Sequence, residues 1–252
     1  MKICCAQITQ TYDDSRNAFE KAEEFLRVAK ADLVVFPEQY ATGWRPKVSP
    51  ADGLKIRNQW IALARKTNTC IIGSYQKPMD DGIRNVMLVV SPEGEILAEY
   101  SKIHLFTPGG EDKAFSPGTE PVTFKFGGVK FGCAICFDLR FPELFREYLN
   151  LGVECVIIQA AWSAARVADW ELLLRARALE NRYYVVACGA LGYDKEMQTE
   201  CSGRSLVCDT EGRILEDAGI FEGGLTWECD ADTIRDDVKN MRKLWGLSLE
   251  NI

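Results

Sequence analysis

Apolar and polar positions change their period several times along the chain, and each change predicts an element. Residues 2–9 alternate as a strand does. Asp13 or Asp14 then offers a helix cap, and Phe19, Ala22, Phe25, Leu26 and Ala29 recur at helical spacing. Asp32 opens a short strand whose remaining residues, Leu33 to Phe36, are all apolar. A strand with no polar face is covered on both sides, which suits a strand–helix–strand unit. Ser49 and Pro50 predict a second helix over 50–67: serine satisfies free N–H groups of the first turn, and proline sacrifices nothing there. Strands are predicted over 69–75, 84–91 and 95–101, the last two joined by a turn at Pro92-Glu93-Gly94.

The second half repeats the plan. Strands over 121–126 and 129–135 flank Gly127-Gly128, and a helix over 141–150 begins near Pro142. Strand 154–159, a helix at about 166–181, strand 183–189 and a hairpin at 204–217 follow. The run Leu88-Val89-x-x-x-Glu93-Gly94-x-Ile96-Leu97 is echoed by Leu206-Val207-x-x-x-Glu211-Gly212-x-Ile214-Leu215. Either two hairpins share a turn type, or the chain has two pseudo-symmetric βαβ halves. No linker or low-complexity stretch divides it, so residues 1–252 are expected to form a single α/β domain of two packed sheets flanked by helices, with a C-terminal tail from about 231.

Composition narrows the function classes. Of 252 residues, 47% are apolar and 27% charged, enough for a large core. The net charge of −7 disfavours nucleic acid and anionic membranes as partners. No apolar run approaches the roughly 20 residues of a membrane helix, and the opening residues carry no signal-peptide pattern. The ten cysteines, several inside apolar runs, read as buried thiols of a reducing cytoplasm. His104 is the single histidine, which excludes metal centres needing two or three imidazoles and leaves one residue for any Ser–His or Cys–His pair. Cys133 and Cys136 have CxxC spacing, but no second pair or nearby histidine completes a zinc site. Residues i and i+3 of a strand face opposite sides, so a redox pair is poorly placed as well.

Three segments carry candidate chemistry. Glu38 follows directly on a buried strand and Pro37, and strand ends are where α/β folds place reactive groups. Lys102 lies among aromatic and aliphatic neighbours, where a lysine acts as a fixed cation or gives up its proton. Cys136 ends an apolar strand at a helix start, where backbone N–H groups favour a thiolate and an oxyanion. Taken singly, each has a bland alternative: a solvated loop glutamate, a lysine reaching for water, one more buried cysteine. Taken together, they supply a proton acceptor, a cation and a nucleophile to a chain nearly without histidine.

The motifs FPE at 36–38, SKIHLF at 101–106 and CFDLRFPE at 136–143, in this order and spacing, resemble those of the nitrilase, or carbon–nitrogen hydrolase, superfamily over about residues 1–230. The resemblance implies a four-layer αββα sandwich and a homodimer joined through helices after the nucleophile. It implies Glu38 as general base, Lys102 as oxyanion stabiliser, Cys136 as nucleophile and Glu111 as a second glutamate positioning Lys102 and the substrate nitrogen. No metal or organic cofactor is implied.

Within the superfamily, Trp162-x-x-x-Arg166-x-x-x-Trp170 and the helix after it resemble the omega-amidases, which hydrolyse the side-chain amides of 2-oxoglutaramate and 2-oxosuccinamate. Deaminated-glutathione amidases, N-carbamoyl amide hydrolases and non-catalytic relatives are the alternatives. A dicarboxylate monoamide needs a cation for its free carboxylate, and Arg166 is the candidate, beside Tyr40, Phe137 and Trp162 as further substrate contacts. Arg140 is expected to pair with a carboxylate as a structural residue. The chain departs from the family pattern with Phe at 137 for Tyr, Ala161-Trp162-Ser163 for Asn-Trp-Pro, and an atypical tail at 241–247.

Overall fold

The computed structural model describes residues 1–10, 15–43, 49–195 and 197–247. Asp13 and Asp14, the expected caps, lie outside the described residues. The first half runs β1 (Lys2–Gln7), α1 (Ser15–Ala29), β2 (Leu33–Val35), α2 (Pro50–Thr67), β3 (Cys70–Met79), β4 (Gly82–Val90) and β5 (Ile96–Ser101). The second runs β6 (Thr123–Phe126), β7 (Val129–Ile135), α3 (Pro142–Asn150), β8 (Cys155–Ala160), α4 (Val167–Asn181) and β9 (Tyr184–Gly189). A small hairpin, β10 (Leu191–Asp194) and β11 (Thr199–Ser202), precedes β12 (Leu206–Cys208), β13 (Ile214–Asp217), β14 (Gly223–Glu228) and α5 (Ala231–Leu244).

Two six-stranded sheets share one plan. The orders are β14-β1-β2-β3-β4-β5 and β6-β7-β8-β9-β12-β13. In each, three central strands are parallel, an antiparallel strand closes one side and an antiparallel hairpin the other. The echoed hairpins even slip register at matching places, Val89/Val90 and Val207/Cys208. The echo therefore marks two pseudo-symmetric halves.

Side-chain alternation assigns the layers. From β1 and β2, Ile3, Cys5, Leu33 and Val35 face the second sheet. Cys4, Ala6, Val34 and Phe36 face outward, under α1 and α2. Trp60 of α2 fills that outer layer, 4.9 Å from the Phe36 ring and donating its indole N–H to Ser74 O. Ser49 caps α2 through the Asp52 N–H, as the sequence suggests. On the far side, Phe145 and Tyr148 of α3 and Trp170 and Leu174 of α4 cover the second sheet, completing an αββα sandwich. Buried Gln159 of β8 staples the sheets, donating to Phe36 O at 2.6 Å and Ile72 O at 3.2 Å.

The hairpin β10–β11, β14 and α5 are additions to the predicted elements. In β14 the pair Gly223-Gly224 breaks the alternation, although the strand completes the first sheet against β1. Helix α5 lies in the stretch expected as a tail. Asp230 caps it, Ile234 and Val238 bury its inner face, and Arg242 donates to Val153 O. No helix among the described residues is long and apolar enough to cross a membrane.

The end of β9 is the tightest backbone approach in the second half. A Cβ on Gly189 would lie 1.9 Å from Gly203 O, which is backbone and cannot turn aside. Gly189→Ala should therefore lower the denaturant midpoint by an equivalent of about 1–3 kcal/mol or more. Equilibrium unfolding with an unchanged m-value checks this.

Candidate active site

Glu38 is delivered by the end of β2. Pro37 cannot continue the ladder, and Gln39 turns the chain with a positive φ of 50°. The Gln10 side chain donates to Glu38 O at 2.6 Å. Lys102 follows β5 directly and stays on the register of the sheet, its N–H donating to Asn85 O at 2.9 Å. Glu111 sits in a short turn, where its carboxylate accepts the Phe106 N–H at 2.7 Å. Cys136 terminates β7 with φ of 47°, a left-handed conformation that a side-chain-bearing residue adopts at a cost.

These side chains meet at one cavity. Lys102 Nζ lies 2.9 Å from Glu38 Oε1 and 2.8 Å from Glu111 Oε2, and all three groups are buried. Asn85 Nδ2 donates to the same two carboxylates, at 2.8 Å to Glu38 Oε1 and 3.0 Å to Glu111 Oε1. The second oxygen of Glu38, Oε2, accepts a longer bond from Ala161 N, at 3.2 Å. Cys136 lines the same cavity as Glu38, Lys102 and Glu111, and its thiol feels the Glu38 charge.

The electrostatics follow from this packing. Burial alone pulls Lys102 toward neutrality, but Glu38 and Glu111 outweigh it and, with Cys136, hold its pKa well above the ordinary lysine value. Burial first, then the Glu38 charge, pushes the Cys136 thiol well up; Lys102 opposes them. The resting pair is thus a thiol beside a carboxylate, with a permanent cation in reach. Such a set can pass a proton from sulfur to oxygen and hold negative charge that develops on a third group.

Asp138 fixes the two candidate segments to each other. Its buried carboxylate accepts from Tyr100 Oη at 2.7 Å, His104 N at 2.8 Å and Ile135 N at 2.9 Å, and pairs with His104 Nδ1 at 2.9 Å. The strand carrying Lys102 and the elbow carrying Cys136 are therefore tied through one side chain. His104 stacks on Phe141 with 3.8 Å between ring centroids, a structural imidazole.

Of the expected substrate contacts, Phe137, Trp162 and Arg166 line the cavity and Tyr40 does not. This corrects the expectation for Tyr40. The turn at Gln39 sends its ring back to the outer helix layer, where the hydroxyl donates to Ala18 O at 3.1 Å. Arg140 pairs with Asp169 at 2.7 Å, stacks over Trp162 at 5.1 Å and also lines the cavity. Sequence reasoning missed Asn85 and the wall formed by the β10–β11 hairpin, which contributes Asp194, Met197 and Thr199. The hairpin is clamped by Ser202 N on Trp162 O at 2.8 Å and by Ser163 Oγ to Thr199 Oγ1 at 2.7 Å. Cys133, the other half of the CxxC spacing, is sealed in the core among apolar side chains. Part of the 40–46 loop, at 44–46, lies outside the described residues.

The profile of the carbon–nitrogen hydrolase family matches residues 2–238. A 2-oxoglutaramate amidase of Bacillus subtilis is 34% identical over 235 residues, covering 90% of both chains. An omega-amidase of Yersinia enterocolitica is 32% identical over 209 residues, covering 81% of this chain and 78% of its own. Among solved structures, an amidase variant from Nesterenkonia sp. AN1, with acrylamide joined to its active-site cysteine by Michael addition, superposes with a TM-score of 0.86. It is 25% identical and covers 97% of this chain and 99% of that one. The chain belongs to the carbon–nitrogen hydrolase family of the nitrilase superfamily, near its omega-amidases, and is an enzyme of the amidase kind.

Proposed function

We propose that the protein hydrolyses the terminal amide of a small carboxylic acid to carboxylate and ammonia through a thioester on Cys136, with 2-oxoglutaramate or 2-oxosuccinamate as substrate. The observation that carries the chemistry is the buried Glu38–Lys102–Glu111 array against the Cys136 thiol. Glu38 takes the thiol proton as sulfur attacks the amide carbon. Lys102 and the Phe137 N–H hold the oxyanion. Glu38 returns the proton to the leaving nitrogen, the C–N bond breaks, and ammonia departs. Water then gives a proton to Glu38 as its oxygen attacks the thioester, and the released sulfur is reprotonated. Glu111 keeps Lys102 in place and faces the substrate nitrogen.

The choice of acid rests on the names of the related amidases and on Arg166, a cation at the cavity with no carboxylate partner within ion-pair distance among the described residues. A guanidinium there suits a substrate carboxylate held by two parallel hydrogen bonds. Neither metal nor organic cofactor enters this reaction, and neither nucleic acid nor membrane is part of the proposal. We place the reaction in the cytoplasm, where ten unpaired thiols remain reduced. The working unit in this reading is a homodimer: α4 leaves Leu172 and Leu179 on the surface, 67% and 44% exposed, for a partner to cover.

Cys136→Ala should abolish ammonia release from 2-oxoglutaramate, and Lys102→Ala should lower kcat a hundredfold or more, since one oxyanion donor is worth about 2.7–4 kcal/mol. A folded Cys136→Ala protein that still released ammonia would refute the thioester route. Arg166→Ala should raise KM for 2-oxoglutaramate by about tenfold or more, because a hydrogen bond to a charged group contributes roughly 1.5–3 kcal/mol. Its kinetics on a neutral straight-chain amide should not move, and equal losses on both substrates would count against the carboxylate contact. The pH profile has a definite sign. Lys102, held well above its ordinary value, keeps its proton on the alkaline side. The kcat/KM profile should accordingly lack an alkaline decline at pH values below the usual lysine range.

A further inference from the structure

Asn85 stands behind the cavity, on β4, and spends its whole donor capacity on the two carboxylates. One amide hydrogen goes to Glu38 Oε1 and the other to Glu111 Oε1. Its own Oδ1 is buried and finds no donor among the described residues. An orphaned buried carbonyl weakens a fold, so stability alone does not account for an amide at this position. Reversing the amide would set that oxygen against two carboxylate oxygens, so the orientation is fixed by charge. The same residue also supplies the carbonyl that receives the Lys102 N–H.

We propose that Asn85 is a positioning residue for the general base: its neutral amide locks Glu38 Oε1 against Lys102 and Glu111 and so holds the carboxylate at the cavity that Cys136 also lines. This rests on the assignment of Glu38 as base. A cation at position 85 would hold both carboxylates as firmly but would make Glu38 a poorer proton acceptor. A carboxylate would repel them. A neutral double donor fixes the geometry and leaves the basicity to Lys102. The titratable groups facing Glu38 are Lys102 after β5, Glu111 from its turn, Cys136 at the elbow and Cys201 of β11. Asp194, Arg140 and Arg166 add charge to the same cavity.

Removing a donor from a carboxylate favours its protonated form, so the acid limb of the rate profile should climb to higher pH. The test is ammonia release from 2-oxoglutaramate against pH for Asn85→Ala, Asn85→Asp and Asn85→Ser, beside Glu38→Gln. Alkylation of Cys136 by iodoacetamide, followed by peptide mass, gives a readout independent of the amide substrate. Asn85→Ala should lower kcat tenfold or more, a part of the roughly 10²–10⁴-fold contributed by general-base catalysis, with KM little changed. Its acid limb should move up, and that of Asn85→Asp further up, because a third carboxylate joins the cluster. Asn85→Ser, with one donor, should fall between wild type and alanine and serves if the alanine protein does not fold. Alkylation rates should follow the same order. If Glu38→Gln is inactive while the folded Asn85 variants keep both kcat and the acid limb, Asn85 is structural and the proposal is wrong. If Glu38→Gln keeps the wild-type rate, the base assignment itself fails and the proposal falls with it, whatever the Asn85 variants do.

Discussion

The buried ammonium of Lys102 between two carboxylates is the interaction on which the site depends. Isolated burial of any one of these charges would cost several kcal/mol even after relaxation of the protein. The array is tolerable because its lone pairs and protons are nearly all used. Asn85 gives two hydrogen bonds, the Phe106 N–H supports Glu111, and the Ala161 N–H supports Glu38. Breaking one partner leaves the others uncompensated, so the three charged residues form a unit. That unit can exist only if β2, β5, β8 and the turn at 111 arrive at one place, which makes the fold answerable to the chemistry.

The doubled βαβ plan meets that demand. The parallel strands of each half end at one edge, and β5, two antiparallel steps from β3, runs the same way as β3. Glu38, Lys102 and Cys136 all follow strand ends at that edge, and so does Ala161 after β8. Ligand sites of open α/β sheets gather at carboxyl ends of strands; here two sheets bring such ends face to face. Gln159 clamps β8 to the carbonyls at the end of β2, and Asp138 clamps β7 to the segment after β5. The clamps restrain two joints that loops alone would leave loose.

Glu38, Lys102 and Cys136 were legible in the sequence because each stands at the end of a predicted strand and the three motifs around them, in order and spacing, resemble those of one family. Neither burial nor charge pairing had to be known to find them. Asn85 was illegible for the opposite reason: it lies inside a predicted strand, and nothing local tells a buried amide from one facing water. The error at Tyr40 came from one residue, since the left-handed Gln39 reverses the chain and carries the next side chain to the other face of the sheet. The strand β14 was hidden by its two glycines. Helix α5 was hidden by the Asp, Lys and Arg of its outer face, which outnumber the apolar Ile234 and Val238 of its inner one. In each case long-range pairing decides the structure, and local pattern carries no record of it.

Proton accounting explains how the chain manages with a single histidine. In a Cys–His pair the proton shift creates two charges, thiolate and imidazolium, in the site. In the proposed mechanism the shift from Cys136 to Glu38 exchanges one negative charge for another, so the array would keep the same total throughout. The step moves charge away from Lys102's first partner and toward the sulfur, and Lys102 touches the field of both. At the proposed oxyanion the negative charge would move again, onto the substrate, and the same ammonium would still face it. In that proposal a fixed cation serves three successive positions of one charge, with no need for a base that itself becomes charged. The histidine is free for a different task, and His104, paired with Asp138 and stacked on Phe141, performs it by holding the elbow in place.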